Sequence, residues 1–405
     1  MSTSRRRCRL LGFAAAVALV LAPGTGFAQA LPDSEGGVAE WRDRTRVARE
    51  WLQGRHAESW AKRVKYRGEP IVLRFSAHNP ADGSVVRDVF LPAFDVLHRM
   101  SAGKIVVQPT WGGATHSLEQ GWTALARGET DMTACYASLE AKARGFELLT
   151  LLDLPGLFPN ATVATIVSEK LYAEYFSGDF RRNGVRIARM KATGPSVIFT
   201  KAPLSGAEGL EGLRLFSAEG VQAEAVRALG GDPVVMETPR IRAAIADGKL
   251  EGAAITEAAA AVYRINTAAP HMFAGDVGRT NFEYCLSPTF LASLPRDLKP
   301  ILNAWLRAQG IAEAQVFYGL NGAVAREEFR AAGGKVIPPT PAAAAEWRRR
   351  VSPVEANAVA RMEAKGLPAR RFMADLRRLT DRYNRMSEND IMMEAIRRPI
   401  PRMDD

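Results

Sequence analysis

From residue 71 onward the apolar positions of the chain switch repeatedly between two periods. Ile71-Val72-Leu73-Arg74-Phe75-Ser76-Ala77 reads as a strand that runs into the turn formers His78-Asn79-Pro80. Val86, Phe90, Ala93, Leu97 and Met100 then fall at helical spacing, which predicts a helix over Val85–Met100 closed by Gly103. A strand (Ile105–Gln108), a glycine turn (Trp111-Gly112-Gly113), a helix (Leu118–Arg127) and a strand (Asp131–Tyr136) follow. This β-α-β-α-β order is the pattern of a parallel sheet covered by helices.

An eight-residue stretch returns 120 positions later. Ala124-Leu125-Ala126-Arg127-Gly128-Glu129-Thr130-Asp131 is echoed by Ala244-Ile245-Ala246-Asp247-Gly248-Lys249-Leu250-Glu251. In both, an apolar helix ends at a glycine suited to the left-handed cap, and an acid opens the next strand. Two similar α/β lobes are therefore expected, although helix-Gly-strand is common in any α/β protein. Farther on, Leu294–Ala332 is one long apolar-periodic run entered at Leu-Pro-Arg-Asp and ended by Gly333-Gly334, with Val336-Ile337 a short strand. Residues 341–386 read as further helices broken near Gly366–Pro368, and the end of the chain, 380–405, as a C-terminal tail that is loose from 387. Ahead of the fold, residues 31–69 form an N-terminal helical extension of one or two surface helices marked by Trp41, Trp51 and Trp60.

The first thirty residues stand apart. Arg5, Arg6, Arg7 and Arg9 precede the apolar run Leu10–Ala22 and the small-residue exit Ala28-Gln29-Ala30, a secretory signal with cleavage expected after Ala30. Thirteen apolar residues rise only about 20 Å as a helix, short of the roughly 30 Å of a bilayer's hydrocarbon. Sec and twin-arginine export both remain open. Cleavage would remove four Arg and no acid, which lowers the formal charge from +10 to +6. The remaining basic residues, including Arg348–Arg350 and Arg397-Arg398, lack the interleaved aromatics of a single-strand groove, so no nucleic-acid partner is expected. About 375 mature residues exceed one core and again suggest two lobes. Cys135 and Cys285 are either one disulfide or two buried thiols.

Motifs for catalysis are missing: there is no G-x-S-x-G, no G-x-x-x-x-G-K-[ST], no H-E-x-x-H and no paired C-x-x-C. No cofactor and no metal are implied. In open α/β sheets ligands settle beyond the carboxyl ends of strands. That places His78, Trp111, His116 and Tyr136 around a site in the first lobe, and Phe216, Thr238 and Glu257 in the second. Each has a plainer role available: His78 and His116 as turn or cap residues, Tyr136 and Phe216 as core aromatics, Glu257 as an acid at a helix N-terminus.

Several segments, in order, resemble the solute-binding subunits of TRAP transporters of the DctP type. They are Ser101-Ala102-Gly103-Lys104-Ile105, Gly112-Gly113, Leu125-Ala126-Arg127-Gly128 with Asp131-Met132, and Asp153-Leu154-Pro155-Gly156-Leu157-Phe158, similar to D-L-P-F-L-F. Then come Leu210-Glu211-Gly212-Leu213-Arg214, similar to D-L-K-G-L-K, Ala228-Leu229-Gly230-Gly231-Asp232-Pro233, similar to A-L-G-A-x-P, and Leu294-Pro295 at the long helix. The resemblance, over Ile71–Leu379, implies an α/β fold of periplasmic-binding-protein type: two lobes, crossing hinge strands and a long helix spanning both. It implies discontinuous lobes, 70–192 with 281–320 and 193–280 with 321–379. It further implies a monomeric periplasmic carrier, not an enzyme, that delivers a small organic ligand to TRAP membrane permease subunits.

The departures bear on the ligand. Where the family places a carboxylate-pairing Arg two residues beyond G-L-K, this chain has Phe216, and another basic place is Ser196. Arg242 stands where the family has Tyr and is the candidate compensating cation. A carboxylate remains the ligand that the family implies, while Phe216, Tyr136 and Trp111 favour one that is less acidic or partly apolar. The competing readings are an exported hydrolase-like enzyme using His78 or His116 as base, and a sensor subunit for a membrane receptor.

Overall fold

The computed structural model describes residues 36–117, 120–137 and 144–401. The export segment over residues 1–30 lies outside the described residues. Two sheets organise the rest.

The first sheet contains β1 (Ile71–Ser76), β2 (Ile105–Thr110), β3 (Met132–Ala134), β4 (Arg186–Ala192) and β10 (Asn281–Leu286), in the order β2-β1-β3-β10-β4. β1 runs parallel to β2 and β3, as the βαβ reading requires, while β10 arrives antiparallel to β3 and β4. The helix expected over 85–100 is present, but its first turn is π-helical (Val86–Phe90) and regular α-helix begins at Leu91. Pro92 explains the difference: it has no N–H, and its ring crowds the carbonyl one turn earlier. β2 carries Pro109, tolerated because that strand lies at the sheet edge.

The second sheet contains β5 (Val197–Thr200), β6 (Arg214–Phe216), β7 (Asp232–Val234), β8 (Gly252–Ile255), β9 (His271–Phe273) and β11 (Lys335–Ile337), in the order β11-β9-β5-β8-β6-β7. The chain passes from β10 to β11 through the long helix, and it also crosses between the sheets in two neighbouring strand connections, from β4 to β5 and from β9 to β10. At this crossing Ser196 N–H donates to the Gly278 carbonyl at 2.8 Å, and Arg279 reaches the carbonyls of Thr193 at 3.3 Å and Phe158 at 2.9 Å. The Asp153-Leu154-Pro155-Gly156 segment is the third party. Asp153 Oδ1 accepts from Asn281 N and Nδ2 at 2.8 and 2.9 Å, and Gly156 N–H donates to Asp276 at 2.9 Å. The motif read as D-L-P is thus a hinge clasp.

The long helix begins at Lys299, four residues later than its Leu-Pro entry suggests, because Pro300 takes the first turn and Asp297 is spent accepting the backbone N–H groups of Lys65 and Tyr66. It runs through a π-helical stretch (Ala314–Asn321) to Ala331. Its start is tied to the first lobe, where Trp305 Nε1 donates to the Ala93 carbonyl at 2.7 Å. Its end is tied to the second, where Phe329 meets Phe199 edge-on at 5.8 Å.

Two terminal expectations need correction. The N-terminal helices (Val38–Arg44, Arg46–Leu52, Ala57–Ala61) are not merely superficial, since Trp41, Val47, Ala48 and Trp51 are buried. Nor is the end of the chain loose: after Pro341–Ala364 and Ala369–Tyr383, a helix over Glu388–Arg397 is capped by Ser387 and buries Ile391, Met392, Ala395 and Ile396. The two termini hold each other, because Asn389 Oδ1 accepts from Val47 N–H at 2.9 Å and Glu388 pairs with Arg44.

Candidate ligand-binding site

At the carboxyl end of β1, His78 meets Tyr136, which follows β3. The Tyr136 hydroxyl stands 3.1 Å from His78 Nδ1 and 3.2 Å from Nε2. Burial, and then the charge of Lys191, push His78 down to about 4, so the ring is neutral at neutral pH. His116 turns to β3, its Nε2 3.0 Å from Thr133 Oγ1. Trp111 faces inward instead, packed on Phe75 and Phe90 at 5.7 Å each and on Phe94 at 6.2 Å.

The other residues singled out by sequence are dispersed. Ser196 lies in the crossing and accepts from Gln222 Nε2 at 2.9 Å. Phe216 is in the apolar core of the second lobe with Phe199, Ile241 and Ile255. Thr238 begins a short turn, and Arg242 is exposed, its Nε 3.3 Å from Thr267 Oγ1. Glu257 is taken by Arg326, whose Nε and Nη2 each donate at 2.9 Å.

Beside Tyr136 stands a charged cluster that sequence reading missed. On the adjoining strands β4 and β10, Lys191 pairs in register with Phe282 and Arg189 with Tyr284. The register lays cations over rings: Arg189 is 4.1 Å from the Tyr284 centroid, and Lys191 Nζ is 4.7 Å from Phe282, 5.9 Å from Tyr284 and 5.4 Å from Tyr318. Both cations meet one acid, Glu313 of the long helix, with Arg189 Nη2 at 2.7 Å from Oε2 and Lys191 on Oε1. Burial opposes ionisation of Glu313, but the two cations outweigh it and hold its carboxyl below the ordinary value. Burial and the Arg189 charge pull Lys191 down, against the support of Glu313.

Tyr136 packs edge-on against Phe282 at 4.7 Å, which joins the His78 pair to this cluster. Burial first, then the nearby Tyr284, Tyr263 and Tyr318 hydroxyls and the Glu313 carboxylate, hold the Tyr136 phenol well above its usual value. Tyr263, which follows the second-lobe helix Glu257–Val262 and packs on that lobe's core, acts on Tyr136 through charge alone. The faint signal in the sequence was Arg189-Met190-Lys191, two cations on one face of a strand whose other residues, Arg186 apart, are apolar. A separate hollow of about 240 Å³ is lined by Gly36, Gly37, Ala323, Arg326, Glu327 and Arg330, and none of the cluster residues borders it.

The fold is thus two-lobed α/β, with a buried aromatic and ionic cluster on the strands β4 and β10 next to the crossing. Residues 76–361 match the family model described as bacterial extracellular solute-binding protein, family 7 (DctP). The chain belongs to this family. No curated protein matches it significantly. Among solved structures it is similar to a TRAP solute-binding protein from Rhodoferax ferrireducens T118 in complex with copurified benzoate, at 19% identity and a TM-score of 0.71 over 78% of this chain and 98% of that one. It is also similar to a TRAP periplasmic solute-binding protein from Bordetella bronchiseptica with bound (R)- and (S)-mandelate, at 20% identity and a TM-score of 0.70, covering 77% and 99%. A third is the sugar acid binding protein from Advenella mimigardefordensis in complex with galactonate, at 17% identity and a TM-score of 0.65, covering 81% and 100%. Among the described residues, no helix of this DctP-family protein is long and apolar enough to cross a membrane.

Proposed function

We propose that this DctP-family protein is the periplasmic subunit of a TRAP-type secondary transporter, a carrier that does no chemistry itself. It is exported on residues 1–30, closes over a small organic acid, and delivers it to membrane permease subunits. The closing lobes are 70–192 with 281–320 and 193–280 with 321–379, the last stretch reaching back to the first lobe where Phe372 meets Tyr175 at 5.0 Å.

The observation that carries the ligand reading is the Arg189–Lys191–Glu313 cluster among Tyr136, Phe282, Tyr284 and Tyr318. Phe216 and Ser196 deprive the pocket of the family's usual cations, which favoured a less acidic ligand. The buried pair on β4 supports an acidic one after all. Copurified benzoate and bound mandelate in two relatives of the same fold make an aromatic acid the first class to try.

Native mass spectrometry of the protein taken from its own periplasm tests the reading. A copurified small organic acid is expected. Absence of any bound small molecule, together with no melting shift across benzoate, mandelate and galactonate at millimolar concentration, would remove it. Ligand at one hundred times its Kd stabilises by about 2.7 kcal/mol, which a thermal scan resolves.

A further inference from the structure

The charge balance of the cluster does not close. Arg189, Lys191 and Glu313 are 0%, 5% and 1% exposed, two cations against one carboxylate. The described groups around them do not supply the missing negative charge. Glu283 sits on the opposite face of β10 from Phe282 and Tyr284, and its Oε2 accepts from Ala137 N–H at 3.0 Å. Glu169 bonds Arg307 at 2.8 Å and the Met190 N–H, also across the strand. Asp153 is held by Asn281, and Glu257 by Arg326. His78 and His116 would add only positive charge. A buried uncompensated charge costs several kcal/mol, so the site is incomplete as it stands.

The donors tell the same story. Arg189 Nε and Nη1 are buried and have no acceptor with hydrogen-bond geometry among the described residues. An arginine holds five N–H groups in a fixed plane; here Nη2 is on Glu313, and Nε and Nη1 face different edges of that plane, each open to one further acceptor oxygen. The surroundings are flat and apolar: Phe282, Tyr284 and Tyr318 surround the Lys191 ammonium, and Tyr136 stands edge-on to Phe282.

From this geometry we infer that Arg189 and Lys191 together are the ligand's anion anchor, that the anion joins Glu313 on them without replacing it, and that the single net charge selects an aromatic monoanion over a dianion. The inference rests on the solute-binding reading above and deepens it. The anchoring cations stand not at the places held by Phe216 and Ser196 but at the middle and near the end of β4. Lys191 is one residue from the end of β4 at Ala192, where the chain leaves for the other lobe, so an anion bound there touches the crossing itself.

The test is titration calorimetry with benzoate, phthalate and benzamide, equal in ring and different in charge. Wild type should bind benzoate, with phthalate and benzamide at least about 10-fold weaker. Lys191→Met should lose about 10- to 100-fold for benzoate, the worth of one charge-assisted hydrogen bond, while Lys191→Arg stays within a few fold of wild type. The inference is overturned if Lys191→Met binds benzoate within twofold of wild type, or if wild type binds phthalate or benzamide as well as benzoate, or binds none of the three. Should Lys191→Met fail to fold, the three-ligand comparison on wild type decides alone. A different small acid copurifying with the protein would sink the anchor's selectivity and leave the solute-binding reading intact.

Discussion

Arg214 grips Glu251 through the same set of contacts by which Arg74 grips Asp131. In each lobe the arginine opens toward the acid that precedes a parallel neighbouring strand, β3 or β8, sending its backbone N–H to the carboxylate at 2.9 Å, Nη2 at 2.6 Å, and Nε at 3.0 or 3.1 Å. A further guanidinium N–H caps the carbonyl of the helix-ending glycine, Gly128 in one lobe at 2.7 Å and Gly248 in the other at 2.8 Å. The eight-residue echo in the sequence is therefore one structural lock used twice, and Arg214 belongs to the lock.

The two locks differ in burial, and that sets an expectation. Asp131 is 7% exposed, whereas Glu251 is half-buried. Asp131→Asn should cost about 1–3 kcal/mol, because a buried acceptor of several charged or backbone donors is weakened. Glu251→Gln should shift the melting temperature much less, since solvent screens that pair. Equal shifts for the two variants in calorimetry would contradict the burial argument.

The disulfide gives a second expectation. Cys135 and Cys285 are bridged, with Cα atoms 5.7 Å apart and 150 residues of chain between them. Both are fully buried, so reductant added to folded protein should not reach the bond. The double variant Cys135→Ala/Cys285→Ala should lose about 2–4 kcal/mol, roughly 3–5 °C in melting temperature for a chain of this size. Thiol titration of native protein checks the first part: two reactive thiols without denaturant would refute it.

What was legible in the sequence follows physical lines. The first lobe's β-α-β-α-β order and the echo at residue 244 were readable because each is a local pattern of period, cap and turn, and the D-L-P segment only through its resemblance to the family. The Glu388–Arg397 helix, expected as loose tail, carries a start signal in Ser387 three residues before Asp390, but what makes it a fixed helix is the burial of Ile391, Met392, Ala395 and Ile396, which depends on what packs against it. Lys191 was not readable. Whether a strand's charged residue faces solvent or the interior depends on which strand comes to lie beside it, and β10 arrives from ninety residues away. The pairing of Cys135 with Cys285 depended on that same arrival.

Gly278 should be the least replaceable glycine of the crossing. Its φ is +106°, and a Cβ placed there would stand 2.3 Å from the Asp153 carbonyl oxygen. Gly278→Ala thus meets both backbone strain and a clash with main chain that cannot turn away, and should cost about 2–4 kcal/mol. Gly212→Ala is the control: φ is +70° there, but nothing lies within 4 Å, so only the left-handed penalty of about 1–2 kcal/mol applies. Chemical denaturation of both variants separates strain from clash, and a Gly278 variant no less stable than the Gly212 one would show that the crossing yields.

Glu283 makes folding stability pH-dependent. Its burial raises the carboxyl to about 8, offset only in part by backbone hydrogen bonds from Ala137 N–H and from its own N–H, and the nearby Asp153 adds to the rise. In the unfolded chain the same group titrates near its ordinary value. Between those two values the folded state binds more protons than the unfolded one, so stability falls as pH increases. The contribution is complete below the unfolded value and lost once pH passes about 8. Asp153, raised to about 7 mainly by burial, acts in the same direction. The melting temperature should therefore decline from pH 6 to pH 9, and Glu283→Gln, which fixes the neutral form, should flatten the decline by on the order of a few kcal/mol. A variant whose pH profile keeps the full slope of wild type would place the titrating group elsewhere.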